Sequence, residues 1–108
     1  MAKFEKKVNG NFEEILRKIE TGIIKSSLSA SLEDASDFII GASKCSVRVF
    51  ERYSVTGSNR VSLNVTIFQN DNSEIYISAI ASGGSEGVLF KVNTFGENAF
   101  LKKLEELL

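Results

Sequence analysis

Cys45-Ser46-Val47-Arg48-Val49, Val61-Ser62-Leu63-Asn64-Val65-Thr66-Ile67 and Ile75-Tyr76-Ile77-Ser78-Ala79 share one pattern. Their odd-numbered residues are apolar and most of their even-numbered residues are polar. Successive side chains of a strand point to opposite sides of the sheet, so period two marks a strand buried on one face. The segments extend to strands over Cys45–Val55, Arg60–Phe68 and Glu74–Ala81. Thr56-Gly57-Ser58-Asn59 and Asn70-Asp71-Asn72-Ser73 between them are built of turn formers. Such short connections predict antiparallel neighbours.

Working outward, Ile24–Leu32 reads as an earlier strand whose even residues, Ile24, Leu28, Ala30 and Leu32, are the apolar ones. Glu33-Asp34-Ala35-Ser36-Asp37 follows as a turn or short helical excursion. Phe38-Ile39-Ile40 returns the chain to the core as a strand or a buried loop. On the far side, Ser82-Gly83-Gly84-Ser85-Glu86-Gly87 connects to a fifth strand over Val88–Val92.

The ends of the chain switch period. Asn11 is placed as an N-cap with Glu14 three residues on, and Phe12, Ile15, Leu16 and Ile19 make one apolar stripe. Gly22 is placed to end that helix as its C′ residue. Thr94 and Glu97 form a capping box ahead of Phe100, Leu101, Leu104, Leu107 and Leu108, with Lys102 and Lys103 outward. The expected fold is a two-layer α+β domain over residues 1–108. It has an antiparallel four- to five-stranded sheet with N- and C-terminal helices packed on one face.

Composition narrows the function classes. At 108 residues, 43% hydrophobic and 25% charged, the chain has the size and balance of one globular unit. A net charge of −1 with scattered basic residues argues against a nucleic-acid partner, whose affinity rests on basic excess. No run approaches the ~20 apolar residues of a membrane span. Lys3, Glu5, Lys6 and Lys7 interrupt any signal-peptide-like start. A single cysteine excludes an internal disulfide, and a cytoplasmic location is the simplest account. Histidine is absent, which removes the commonest general base and metal ligand. No metal and no cofactor are expected.

If the odd residues face the helices, Ser46, Arg48, Phe50, Arg52, Ser62, Asn64, Thr66, Phe68, Tyr76, Ser78 and Ile80 form the open face. Arg48, Phe50, Phe68, Tyr76 and Ile80 are the candidate interface there. Aromatic pairs that merely support the sheet are the plainer alternative. RNA-recognition sheets also display aromatics, but their element order differs and their surround is basic.

Glu51 and Tyr53 continue the set read as inward, and an inward carboxylate needs a partner such as Arg60, Lys91 or a helix N-terminus. Glu51 is then either an acid/base group in a pocket or, more simply, half of a structural ion pair. Lys91 and Asn93, just before the Thr94 cap, are candidates for a small anion site. Gly83–Gly87 is a poor phosphate loop, because it leads toward an expected strand and no Lys-Ser/Thr pair follows. Ser85 has no histidine to activate it, and Cys45 reads as core.

Glu51-Arg52-Tyr53-Ser54 with Asn59-Arg60-Val61-Ser62-Leu63-Asn64-Val65-Thr66, and Ser82-Gly83-Gly84-Ser85 with Phe90-Lys91-Val92-Asn93-Thr94-Phe95-Gly96-Glu97, carry a resemblance. Together they resemble a family of small uncharacterised proteins from low-GC Gram-positive bacteria (Firmicutes), over most of the chain. The resemblance implies a bacterial cytoplasmic protein of unknown function and assigns no catalytic residue.

Three functions follow in order. The first is a non-enzymatic interaction or regulatory module that forms a homodimer through its open sheet face. The second is a binder of an unidentified small molecule, with a pocket between sheet and helices lined by Glu51, Tyr53 and Lys91 and gated by Gly83–Gly87. The third is an acid/base enzyme working without histidine.

Overall fold

A computed structural model describes residues 1–53, 59–83 and 90–108, the last stretch by backbone alone up to residue 97. Among the described residues five strands and two helices follow as β1 (Ala2–Val8), α1 (Phe12–Lys25), β2 (Ser31–Ile40), β3 (Ser43–Tyr53), β4 (Arg60–Asn70), β5 (Ile75–Gly83) and α2 (Phe90–Leu107). The strands form one antiparallel sheet in the order β1-β5-β4-β3-β2, and both helices lie on one of its faces. The architecture is the α+β one the periodicity predicts. No helix among the described residues is long and apolar enough to cross a membrane.

The central strands form where the alternation is cleanest. Val61, Leu63, Val65 and Ile67 of β4 and Ile75, Ile77, Ala79 and Ala81 of β5 are buried beneath the helices. They meet Phe12, Ile19 and Ile23 of α1 and Phe100, Leu101 and Leu104 of α2 in one core. The β4–β5 turn is made by Asp71 and Asn72, both at positive φ (50° and 56°). That is the backbone of a mirror-image hairpin turn, which Asp and Asn accept at low cost.

The edges differ from the expectation. β1 lies in a stretch expected to carry no strand. Its even residues Ala2, Phe4 and Val8 pack against the core, and Lys3, Glu5 and Lys7 point away. Lys6 also faces the helix side, where its ammonium donates to the Leu108 backbone oxygen (3.1 Å). A cation there suits the negative end of α2.

At the other edge, the strand expected over Ile24–Leu32 is mostly absent. Ile24 and Lys25 close α1, and only Ser31 and Leu32 belong to β2. The serines between bond locally, Ser27 Oγ meeting Ser29 Oγ (3.2 Å) and receiving the Ser29 amide (3.3 Å). Such side-chain bonds compete with a ladder. Glu33–Asp37, expected as a turn, runs through β2 instead, with a register shift between Leu32 and Asp34. Phe38, Ile39 and Ile40 pair with Cys45, Lys44 and Ser43.

The N-cap is as expected: Asn11 Oδ1 accepts the Glu14 amide (2.9 Å). The helix nevertheless runs past Gly22 to a Ser26 cap. Gly22 faces α2, where a methyl group would overlap the Leu107 side chain. The glycine therefore serves helix–helix approach rather than termination. α2 begins at Phe90, so Phe90–Val92 are helical rather than a fifth strand and Thr94 lies inside the helix. Val88, Leu89 and the Gly84–Gly87 segment lie outside the described residues.

Candidate functional site

Register fixes which side chains share a face, because directly opposed residues of an antiparallel pair point the same way. Cys45 opposes Phe68, Val47 opposes Thr66 and Val49 opposes Asn64. The odd residues of β3 therefore stand on the open face with the even residues of β4, opposite to the expectation. Ser46, Arg48, Phe50 and Arg52 face the helices and are buried. Arg48 and Phe50 are accordingly not on the open face, whereas Phe68, Tyr76 and Ile80 are.

The open face is a set of cross-strand rows. One reads Lys7-Tyr76-Phe68-Cys45-Phe38 from β1 to β2. The next reads Glu5-Ser78-Thr66-Val47-Ser36, and the next Lys3-Ile80-Asn64-Val49-Asp34. Phe68 (41% exposed), Tyr76 (46%), Ile80 (42%) and Phe38 (61%) stay open to solvent. Half-buried Cys45, Val47 and Val49 join them into one apolar surface. The Lys7 ammonium sits 5.3 Å from the Tyr76 ring centre. Glu5, Lys7, Thr66, Phe68, Tyr76 and Ser78 line a shallow depression of about 390 Å³ on this face.

Glu51 and Tyr53, expected in a pocket beneath the helices, lie on this open side too. Glu51 forms an ion pair with Arg60 and accepts the Ser62 hydroxyl (3.2 Å). Arg60 also reaches Glu33 (3.6 Å) and lies 5.9 Å from the Tyr53 ring centre. Glu51 is thus half of an ion pair, the simpler of its two readings. The side chains of Lys91 and Asn93 fall outside the described residues.

The helix side holds a polar network that the sequence reading did not assemble. Arg48 Nε donates to Glu20 of α1 (2.7 Å), and Arg48 Nη1 lies 2.9 Å from Asp37 of β2. The Ser46 hydroxyl donates to the same Asp37 carboxylate (2.6 Å). Burial works against the charge on Arg48, but its bonds to Glu20 and Asp37 more than offset this and hold its pKa above the ordinary value. The Ser46 hydroxyl, with Arg48 beside it, holds Asp37 below the usual aspartate range.

Between α1 and the β2–β3 hairpin lies a cleft of about 290 Å³, walled by Phe12, Leu16 and Ile39. Its four charged residues pair off, Glu13 with Lys44 (2.7 Å) and Asp37 with Arg48 (2.9 Å). No group of three or more acidic or cysteine side chains that could hold a metal occurs among the described residues.

Compared with the curated proteins and with the solved structures, the chain has no match. A family model does match it over residues 1–108, and by that match the chain belongs to the family of unknown function DUF6054.

Proposed function

We propose that this chain is a non-enzymatic interaction module that pairs with a second copy of itself through the open face of its sheet. The observation that carries this is the apolar surface contributed by four strands: Phe38, Cys45, Val47, Val49, Phe68, Tyr76 and Ile80. A solvated sheet face is ordinarily polar, and contiguous apolar patches mark interaction sites.

Size and charge favour a second copy as the occupant. Five strands about 4.8 Å apart and nine residues at about 3.4 Å each give a face of roughly 650 Å². That is close to the roughly 800 Å² per partner of a standard interface. Two such faces stack about 10 Å apart in an aligned sandwich. A two-fold axis along the strands lays β1 over β2 of the other copy. Lys3 and Asp34 occupy one row at opposite edges, so Lys3 meets the partner's Asp34 twice in the symmetric pair.

The reading places the protein in the cytoplasm, supported by Cys45 being a free thiol on the surface that would pair. Light scattering over a concentration series from low micromolar to millimolar tests the proposal. The expected mass rises from that of the 11.9 kDa chain to twice that value. A mass equal to one chain at every concentration contradicts it.

A further inference from the structure

The helix-facing side of β3 buries two guanidinium groups and treats them oppositely. Arg48 has Glu20 and Asp37 as counter-charges. Arg52, four residues on, is 5% exposed and makes no ion pair or side-chain hydrogen bond among the described residues. Its Nε is buried without a partner, and its guanidinium carbon lies 4.6 Å from the Phe100 ring centre of α2. Burial pushes its pKa below the ordinary arginine value, with no opposing carboxylate among the described residues.

A second donor is orphaned near it in register. Asn59 leads into β4, two residues before Val61, the register partner of Arg52. The side-chain nitrogen of Asn59 is also buried without a hydrogen-bond partner. Two buried donors close in register and lacking an acceptor among the described residues, one of them a cation, are a costly arrangement in a protein interior. The group that would satisfy both is an oxyanion, which accepts paired bonds from the guanidinium fork. The Phe100 ring, 4.6 Å from the guanidinium carbon, supplies a cation–π contact but no hydrogen-bond acceptor.

We propose that Arg52 and Asn59 form a binding site for a small ligand bearing an oxyanion, a carboxylate or a phosphate, between α2 and the end of the sheet where β3 stops and β4 starts. The site is on the opposite side of the sheet from the proposed pairing face and stands independently of it.

Thermal unfolding of the full chain in inorganic phosphate, acetate and chloride at equal ionic strength tests the site. The wild type should gain about 4 °C or more in phosphate or acetate over chloride, saturating with concentration. A phosphate-only response assigns a phosphate ligand, and an acetate-only response a carboxylate. Arg52→Met keeps the aliphatic stem and removes the unpaired charge, so in chloride it should melt no lower than the wild type and show no anion response. Asn59→Asp supplies a carboxylate from the chain itself and should raise Tm in chloride while abolishing the response. Equal wild-type Tm in all three salts overturns the site. So does an anion response shared by Arg52→Met, which is then a general solvent effect.

Discussion

Phe50→Asp leaves the chain unfolded, by the register of β3. Phe50 is fully buried, opposite Leu63 of β4 on one side and Leu32 of β2 on the other, beneath the helices. Truncating a buried phenylalanine costs about 3–5 kcal/mol. A carboxylate in its place adds the penalty of an uncompensated charge or of its protonation, further kilocalories in an apolar setting. A domain of this size holds about 5–15 kcal/mol in total. Far-UV circular dichroism should show loss of both helix and strand signal at neutral pH. A cooperative urea transition near that of the wild type would turn β3 over and invalidate the two faces described above.

Phe68→Asp has the opposite outcome: a folded chain that no longer pairs. Phe68 occupies the open side of β4 between Cys45 and Tyr76. In a single copy the aspartate reaches water, and the loss is confined to cross-strand contacts worth about 0.2–1 kcal/mol each. In a two-fold pair about an axis along the strands the same change is made twice on the central strand, where the two copies of Phe68 meet. A buried aromatic anchor is worth about 2 kcal/mol or more. Two of them lower the affinity roughly a thousandfold. Light scattering should give the mass of one chain at every concentration, with a urea midpoint close to that of the wild type. A mutant that still doubles its mass would move the contact elsewhere on the molecule.

These two phenylalanines also show how far the sequence is legible. Both sit on strands, both among alternating residues, and apolarity alone does not say which is inside. On β4 and β5 the alternation points the right way, because the polar residues there are small and uncharged and belong in water. On β3 it misleads. Cys45, Val47 and Val49 look like core, while Arg48 and Arg52 look solvated. The inside of β3 nevertheless takes the arginines, since Glu20, Asp37 and the Phe100 ring are waiting for them. The signal that was available is register. Gln69 opposes Ile75, so the odd residues of β4 and β5 share a face, whereas Tyr53 opposes Arg60, so the odd residues of β3 share a face with the even residues of β4.

The edge strands were hidden by the chemistry that protects them. β1 carries Lys3, Glu5, Lys6 and Lys7 among seven residues, and β2 carries Glu33, Asp34 and Asp37 with a register shift. Charges and bulges keep an exposed edge from pairing with a stray strand, and they also erase the strand signal. The start of α2 was missed for another reason. A short apolar run such as Phe90-Lys91-Val92 fits a strand or a helix equally well, and periodicity does not decide between them. Of the candidate interface, Phe68, Tyr76 and Ile80 are where the alternation puts them. Arg48 and Phe50 are not, and Glu51 and Tyr53 move from the expected pocket to the open side.

Cys45 offers the most direct test of pairing through the open face, without any mutation. It is the chain's one cysteine, half-buried in the row between Phe68 and Phe38. A second copy seated on that face covers it. The rate at which a thiol reagent modifies Cys45, measured across the same concentrations as the solution mass, should fall as the mass doubles. A rate that stays constant while the mass doubles would place the contact on another surface, and the open face would not be the pairing site.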